Sequence, residues 1–438
     1  MDCFVGIDLG STTTKAVYMD GNAKILGRGI TNSRCNYQLA CQIAEEEARN
    51  NSRFVLLQRE FESLAKRGIP KELLSALHGK FKLAEYNAQL KALHGECADV
   101  LSSWKSGDDS SFYKDVIDTI FEKMESVAAQ SFIETPNQDN FFRDLSGNLF
   151  LSFAQEIISR RANVSFDRLI GVFDRAIIAV EARSFANSFS EYIDFASGEI
   201  SAMKENHKFA DPLLKATQFA KEQKFNIVKS IGTGYGRQQL PFPKERIRSE
   251  ILCHGLGAHY MFPETRTVLD IGGQDTKAIQ IDENGIVVNF QMNDRCAAGC
   301  GRYLGYVADE MNIGVHELGP QAMKASKTIR INSTCTVFAG SEIRSRLALG
   351  EKREEILSGL HRAIILRAMS LLARSGGIKN EFTFTGGVAK NIAATTVLKS
   401  LVRENFGNIK TNISADSIYT GACGAALFAI RDSGLAGE

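Results

Sequence analysis

The chain has 438 residues, of which 44% are hydrophobic and 24% charged, the composition of a globular protein with room for two to four domains. Its 52 basic and 51 acidic residues leave a net charge of +1, which excludes a global field that would favour nucleic acid or an anionic membrane as partner. No leader and no stretch of 18 uncharged apolar residues is recognisable, so we expect a cytoplasmic protein. Nine cysteines, an odd number, predict buried thiols, reactive thiols or metal ligands instead of disulfides in that reducing compartment.

The first predicted element is a β-hairpin at the start of the chain. An apolar run over residues 4–7 leads into residues 8–17, Asp-Leu-Gly-Ser-Thr-Thr-Thr-Lys-Ala-Val. This pattern predicts a strand, a glycine turn with hydroxyl side chains and a second strand. Backbone N–H groups in such a turn can approach an anion, and an aspartate at the strand end can hold Mg²⁺ through water.

The middle of the chain has a different composition. Residues 36–225 contain seven of the 37 glycines. Apolar residues there recur at helical spacing, for example Val116, Ile120 and Met124. We therefore predict a mostly helical insertion over 36–225, which interrupts one α/β core made of residues 1–35 and 226–438. The insertion itself indicates no chemistry.

The sequence pattern of the first hairpin recurs 262 residues later. Residues 270–279 read Asp-Ile-Gly-Gly-Gln-Asp-Thr-Lys-Ala-Ile. The correspondence continues beyond this segment, since Asp282 lies at the same distance from the second segment as Asp20 does from the first. One such turn could belong to an ordinary hairpin, but its repetition in register predicts a duplicated unit. Two such turns facing each other would clamp a nucleoside triphosphate.

Cysteines follow the second hairpin. Cys296 and Cys335 both lie just ahead of predicted helices, where the helix N-terminus stabilises a thiolate and so favours an iron–sulfur ligand. Two ligands per chain are too few for a four-iron cluster, but a cluster shared between two subunits would meet the count. Cys300 is either a competing ligand or a buried small residue. Cys253 and His254 look like a metal pair, but adjacent helical residues point about 100° apart, so packing is the better interpretation.

Two more glycine turns come late in the chain. Gly386 and Gly387 follow a predicted strand at a helix start, where exposed backbone can lie flat against an adenine and ribose. Gly421 opens the last helix among small residues. For Gly421, helix packing and ligand contact remain equally open.

In order, these turns resemble the actin, heat-shock chaperone and sugar kinase superfamily of ATPases, an α/β fold of two similar domains that close on Mg-ATP. The resemblance implies that Asp8 holds the Mg²⁺ water shell and that Asp270, with Gln274, positions the attacking water. It implies nucleotide or phosphate contacts for a set of turn residues: Gly10, Ser11, Thr12, Thr13, Lys15, Gly272, Gly273, Gly386, Gly387 and Gly421.

Longer matches narrow the resemblance. The segments GIDLGSTTTKA, TGYGR, DIGGQDTK, FQMNDRCAAG, STCTVFA and TGGVA are similar to the activators of 2-hydroxyacyl-CoA dehydratases and the ATPase subunits of benzoyl-CoA reductase, the BadF/BadG/BcrA/BcrD/HgdC-type ATPases. The resemblance covers residues 1–30 and 226–435. It implies that ATP hydrolysis reshapes a dimer around one bridging 4Fe-4S cluster and drives a low-potential electron into a partner enzyme. Cys296 and Cys335 match the cluster ligands.

Size and the insertion look most like the larger of the two ATPase subunits in ATP-dependent benzoyl-CoA reductase. That resemblance implies an oxidoreductase component with a shorter homologous ATPase subunit, two catalytic reductase subunits and ferredoxin as partners. Dehydratase activators lack the long insertion and usually have Thr at the position of Cys300, but an activator is the close alternative. A small-molecule kinase of the same fold and a nucleotide-gated interaction protein, in which the insertion is the working part, also remain open.

Overall fold

A computed structural model of the chain describes residues 1–434 except 34–35, 66–69, 105–108, 135–141, 161–162, 184, 186–188, 294–298, 312 and 332–335. The chain divides into two compact units. The first unit consists of Met1–Ala48 and Phe225–Glu438, and the second of Arg49–Lys224. By glycine content the sequence placed the insertion at residues 36–225.

Two β-sheets with the same strand arrangement lie in the first unit. The first sheet contains β1 (Asp2–Leu9), β2 (Thr13–Met19), β3 (Ile25–Asn32) and β4 (Asn226–Thr233), in the order β3-β2-β1-β4. The second contains β5 (Thr267–Ile271), β6 (Thr276–Ile281), β7 (Val287–Asn293), β8 (Phe382–Thr385) and β9 (Thr411–Asn412), in the order β7-β6-β5-β8-β9. In each sheet an antiparallel hairpin of three strands is extended by a parallel strand, β4 beside β1 and β8 beside β5. The repeated sequence pattern thus corresponds to two sheets of like topology.

The central strands are buried on both faces, which explains their nearly continuous apolar runs. Every residue of β1 after Asp2 is buried, and so is every residue of β5 and β6. Strands covered on both faces do not show the alternation of a half-exposed strand. The polar residues at their ends are therefore buried as well, and they must find partners within the protein.

The second unit is helical. Its helices are α1 (Tyr37–Leu64, which begins in the first unit), α2 (Lys71–Ser102), α3 (Ser110–Glu134), α4 (Phe142–Arg160), α5 (Phe166–Glu181), α6 (Phe189–Ala202) and α7 (Ala210–Glu222). Val116, Ile120 and Met124, whose spacing predicted a helix, are buried on α3. The helical character of the insertion is confirmed.

The remaining helices belong to the first unit. They are α8 (Glu250–Met261), α9 (Gly301–Met311), α10 (Val315–Ala322), α11 (Thr336–Ala348), α12 (Arg353–Arg374), α13 (Ile392–Phe406) and α14 (Thr420–Arg431). Helix α12 is long and apolar enough to cross a membrane, but 61% of its apolar window is buried. It packs against α10, α13 and the second sheet. A buried core helix can have the same length and apolar composition as a helix that crosses a membrane.

Helix α14 lies between β1 and α8 at unusually short distances. A Cβ built on Gly6 of β1 would overlap the Ala422 carbonyl oxygen, and one built on Gly424 would overlap the Cys253 carbonyl oxygen. Only glycine permits backbones to approach this closely. The close packing brings the first turns of α8 and α14 to the end of β1, where the candidate site is found.

Candidate functional site

Each hairpin pairs an aspartate with a lysine. The antiparallel register places Asp8 opposite Lys15 and Asp270 opposite Lys277. Cross-strand neighbours have their Cβ atoms about 4.5–5.5 Å apart, so the lysine can reach the carboxylate. Lys15 Nζ lies 3.1 Å from Asp8 Oδ2, and Lys277 Nζ lies 3.3 Å from Asp270 Oδ2. All four side chains are buried. That Lys15 contacts a phosphate stays a prediction.

The parallel strand of each sheet ends beside its aspartate in the dipeptide Thr-Gly. These are Thr233-Gly234 at the end of β4 and Thr385-Gly386 at the end of β8, and both glycines have positive φ, +102° and +87°. A Cβ on the first glycine would lie 2.5 Å from Asp8 Oδ1. The internal repeat therefore includes a fourth strand. Sequence reasoning used TGYGR only as a family match, but the second Thr-Gly was the signal that could have revealed the equivalence.

Asp270 is contacted on both carboxylate oxygens. Thr385 Oγ1 donates a 2.9 Å hydrogen bond to Oδ1, His254 Nδ1 lies 3.3 Å from the same oxygen, and Lys277 contacts Oδ2. Burial opposes ionisation, but the charges of His254 and Lys277 outweigh it and hold the pKa of Asp270 well below its usual range. Asp270 is therefore a fixed carboxylate.

Lys277 is the centre of a buried ionic cluster. Besides Asp270, its Nζ contacts Asp275 Oδ1 at 2.8 Å and Glu250 Oε1 at 2.9 Å. Burial would lower the pKa of Lys277, but the three carboxylates outweigh burial and raise it. The lysine stays charged and holds residues of β5, the following turn and α8 together. Gln274, expected beside the attacking water, lies half-buried in the same turn.

Helix α8 contributes two polar residues to the site: Glu250, which the sequence analysis does not name, and His254, which it assigns to packing. Glu250 and His254 are one turn apart on the same face, and His254 Nε2 lies 3.9 Å from Glu250 Oε1. Burial raises the pKa of Glu250, although Lys277 acts against that shift. Cys253 is buried against α14, as expected for a packing residue. The useful signal was the spacing Glu-x-x-x-His, not the adjacent cysteine.

One group of polar atoms has the chemistry of a cation site. Ligand atoms of Asp8, Glu250 and His254 all lie within 4.8 Å of one another. Asp8 Oδ1 is buried and accepts no hydrogen bond, while Oδ2 is engaged by Lys15. Because Mg²⁺ is bound in proteins by one or two carboxylates together with water, the unengaged oxygen of Asp8 fits such an ion.

The two predicted phosphate turns are closed in the same way. Gly10 N donates to Thr13 O at 3.2 Å, and Gly272 N donates to Asp275 O at 3.0 Å. The repeated sequence pattern therefore forms the same local hydrogen bond in both turns.

The two turns also contact each other. A Cβ on Gly273 would overlap the Thr12 hydroxyl and lie 3.2 Å from Ser11 Oγ. Side chains of the first turn thus reach the backbone of the second. The facing arrangement expected from the sequence is present.

The late glycine turns lie at the same end of the two sheets. Gly386 is buried against the carbonyl of Ile271, whereas Gly387 is exposed and has no atom within 4 Å of a built Cβ. Such an open backbone suits a flat ligand. A Cβ on Gly421 would lie 2.8 Å from His254 Nε2 and 3.0 Å from Asp8 Oδ2, so this glycine contacts the polar cluster.

The predicted cluster ligands, Cys296 and Cys335, lie outside the described residues. Helix α9 begins five residues after the first, and α11 begins directly after the second. A Cβ on Gly340 of α11 would lie 2.6 Å from Tyr306 Oη of α9, so these two helices pack together. Cys300 is buried in the apolar core of the second sheet.

The start of α9 is bonded to the second phosphate turn. Gly301 N donates to Gly272 O and Arg302 N donates to Gly273 O, each at 2.8 Å. A direct hydrogen-bonded link therefore joins the turn to the helix that follows Cys296.

Comparison with known proteins gives consistent results. The model of the BadF/BadG/BcrA/BcrD ATPase family matches residues 5–429. The chain is 41% identical over 210 residues to the (R)-2-hydroxyglutaryl-CoA dehydratase activating ATPase of Acidaminococcus fermentans, covering 48% of this chain and 78% of that protein. It is 41% identical over 217 residues to the activator of lactoyl-CoA dehydratase of Anaerotignum propionicum (49% and 80%), and 33% identical over 184 residues to one of the benzoyl-CoA reductase subunits of Thauera aromatica (42% and 65%).

Among solved structures, the crystal structure of the Acidaminococcus fermentans (R)-2-hydroxyglutaryl-CoA dehydratase component A aligns with a TM-score of 0.50 and 22% identity, covering 99% of this chain and 100% of that one. At this identity the likeness shows the fold alone. The predicted fold class, a duplicated α/β ATPase fold of the actin, heat-shock chaperone and sugar kinase type with a large helical insertion, is confirmed. The family match also supports ATP binding. The chain belongs to the BadF/BadG/BcrA/BcrD ATPase family.

Proposed function

We propose that this protein couples ATP hydrolysis to the delivery of a low-potential electron to an acyl-CoA enzyme in the cytoplasm. The observation that carries the proposal is the hydrogen-bonded contact between the second phosphate turn and the start of α9, the helix that follows Cys296. A change in the turn on loss of the γ-phosphate would pass directly to the segment that carries this cysteine. A 4Fe-4S cluster, bound by Cys296 and Cys335 together with a second copy or a homologous partner, would supply one-electron transfer.

The nucleotide would lie between the two phosphate turns. Asp8, with its unengaged Oδ1, would hold the Mg²⁺ water shell. Asp270, with Gln274, would orient the attacking water. The other residues proposed for phosphate or adenosine contact are Gly10, Ser11, Thr12, Thr13, Lys15, Gly272, Gly273, Gly386, Gly387 and Gly421.

Identity favours a dehydratase activator as the specific role. Over slightly less than half of the chain, two activators are 41% identical to it, against 33% for the Thauera aromatica reductase component. An activator would need ATP only to start a partner that then turns over many times. The identities therefore support an activator more than the reductase component that size and the insertion suggest.

An ATPase component of benzoyl-CoA reductase is the second candidate, supported by the similarity to the Thauera aromatica protein and by the large helical unit. Its partners would be a shorter homologous ATPase subunit, two catalytic reductase subunits and ferredoxin. ATP consumed with every substrate reduced would support this role. ATP needed in catalytic amounts would support the activator.

The test is anaerobic purification with the co-purifying partners, followed by iron analysis and absorption and electron paramagnetic resonance spectra. We expect a 4Fe-4S signal that is lost in Cys296→Ala and in Cys335→Ala. Cys423→Ala, a change at a buried cysteine of α14, serves as the control and should retain the signal. Absence of iron from the wild-type complex, or phosphoryl transfer to a small molecule that both variants retain, would overturn the proposal.

A further inference from the structure

We propose that His254 is a positioning residue for ATP hydrolysis, which acts by fixing the carboxylate of Asp270. This inference rests on the role proposed above for Asp270. It assigns a function to a buried side chain that is not among the residues proposed to contact the nucleotide.

The ring lies where α8 crosses α14, between the two repeated hairpins. Its Nδ1 is 3.3 Å from Asp270 Oδ1 in the second sheet. Its Nε2 faces Gly421, whose built Cβ would lie 2.8 Å from Nε2 and 3.0 Å from Asp8 Oδ2 in the first sheet. The absence of a side chain at Gly421 therefore makes room for the imidazole beside both aspartates.

The ionisable groups around the ring come from four elements. They are Glu250 on α8, Asp8 on β1, Asp270 on β5 and Lys277 on β6. Among these, Lys277 is already shared by three carboxylates. His254 is thus the basic group that lies beside Asp270 Oδ1, the carboxylate oxygen on the side away from Lys277.

Two groups face that oxygen: the Thr385 hydroxyl donates a hydrogen bond to it, and the imidazole Nδ1 lies 3.3 Å away as a close contact outside hydrogen-bond geometry. Removal of the ring would leave a cavity beside a buried carboxylate and let Asp270 shift from its present position. A water molecule oriented by Asp270 would then be misplaced relative to the phosphorus atom. Misplacement of about 1 Å can cost on the order of 10²-fold in rate without affecting ground-state binding.

The imidazole Nδ1 suggests a conservative variant. An asparagine side-chain amide can place a nitrogen near the position of Nδ1, whereas alanine cannot. We expect His254→Ala to lower kcat for ATP hydrolysis on the order of 10²-fold, with KM and nucleotide Kd within about threefold of wild type. His254→Asn should recover roughly tenfold of the lost kcat at the same KM.

His259→Ala is the matched control, because His259 lies on the same helix but packs against the turn at Gly285 instead of the cluster. It should leave kcat unchanged. A folded His254→Ala protein with kcat within about threefold of wild type would overturn the inference. Equal losses in the Ala and Asn variants, or parallel changes in KM and kcat, would also overturn it.

Asp270→Asn separates this inference from the function on which it rests. If Asp270→Asn lowers kcat and His254→Ala does not, only the positioning role fails. If neither change affects hydrolysis, the role proposed for Asp270 fails as well. Thermal unfolding and circular dichroism of each variant establish that the proteins compared are folded.

Discussion

Asp8 and Asp270 occupy the same place in the two sheets, but their surroundings differ. Asp270 has partners on both oxygens, whereas Asp8 pairs with Lys15 through Oδ2 and leaves Oδ1 without a hydrogen bond. A buried unpaired carboxylate oxygen is costly unless a ligand satisfies it. The two repeats therefore differ: both oxygens of Asp270 have partners within the protein, whereas one oxygen of Asp8 has none.

The first prediction concerns that available oxygen. Asp8→Asn should lower kcat for Mg-ATP hydrolysis on the order of 10²-fold and raise the Mg²⁺ concentration needed for half-maximal rate, because a neutral amide neutralises less of the cation charge. Steady-state hydrolysis over a range of Mg²⁺ concentrations measures both effects. The control is Asp20→Asn, since Asp20 accepts turn hydrogen bonds from Asn22 N and Lys24 N that asparagine can still accept. An unchanged Mg²⁺ dependence in Asp8→Asn would contradict the assignment.

The second prediction concerns the buried lysine. Lys277→Met leaves Asp270, Asp275 and Glu250 without their shared cation, and breaking a buried ion pair in this way costs about 3–5 kcal/mol. We expect a clear fall in the midpoint of urea unfolding. Lys15→Met, which removes a single contact with Asp8, should cost less. Equal costs for the two variants would argue against a network centred on Lys277.

At the scale of elements, the crossing of α8 and α14 depends on glycine. In Gly424→Ala the new Cβ would overlap the Cys253 carbonyl oxygen, so the two helices must separate, at a cost of about 1–3 kcal/mol. Gly305→Ala in α9 is the control, because no atom lies within 4 Å of its built Cβ, and it should be neutral or stabilising. Thermal unfolding compares the two. A Gly424→Ala protein as stable as wild type would show that the crossing tolerates separation.

A second feature at this scale is the cap of α13, just after the Gly-Gly turn. Asn391 Oδ1 accepts from Ala393 N and Ala394 N, and its Nδ2 lies 3.0 Å from His361 Nε2. His361 Nδ1 lies 2.7 Å from Leu357 O and must donate to it, so the neutral ring accepts from Asn391 through Nε2. Burial lowers the pKa of His361 below its ordinary value of 6.5. The cap therefore requires a neutral histidine.

The sign of the pH effect follows from that lowered pKa. The unfolded chain takes up a proton at His361 below pH 6.5 before the folded protein does, so stability is complete above 6.5 and falls with pH toward the folded pKa. The slope is at most about 1.4 kcal/mol per pH unit. His361→Gln cannot titrate, so the stability gap between wild type and this variant should shrink from pH 7.5 to pH 5. Urea unfolding across this range tests the expectation, and a constant gap would contradict it.

Strands and turns were readable from the sequence, while the charged network was not. The hairpins were predictable because their apolar runs, glycine turns and lysines repeat at one spacing, and the Asp8–Lys15 pair follows from that spacing alone. Glu250 reaches Lys277, and His254 reaches Asp270, only through the tertiary packing of α8 on the sheet. Local patterns carry no record of such contacts. His254 directly follows Cys253 in the sequence, but in the fold the groups near its ring are Asp270 and Glu250.

At the scale of the molecule, the residues proposed to contact the nucleotide all lie in the first unit. A protein in which residues 49–224 are replaced by a flexible linker should therefore bind ATP with affinity within about tenfold of wild type. If the helical unit carries the docking surface for partner proteins, the same protein should fail to assemble with them. Calorimetry and co-purification measure the two properties. Retention of both would show that docking does not need the helical unit.

The two hydrogen bonds between the second phosphate turn and α9 set a scale for energy transduction. Each bond contributes about 0.5–1.5 kcal/mol, so the pair can bias the following segment by about 1–3 kcal/mol. For one electron, a tenfold bias of about 1.4 kcal/mol corresponds to about 59 mV. This connection alone could thus shift a midpoint potential by no more than roughly 130 mV. A measured difference between ATP-bound and ADP-bound protein much above that value would require a second mechanical route, such as a change in how two subunits enclose the proposed cluster.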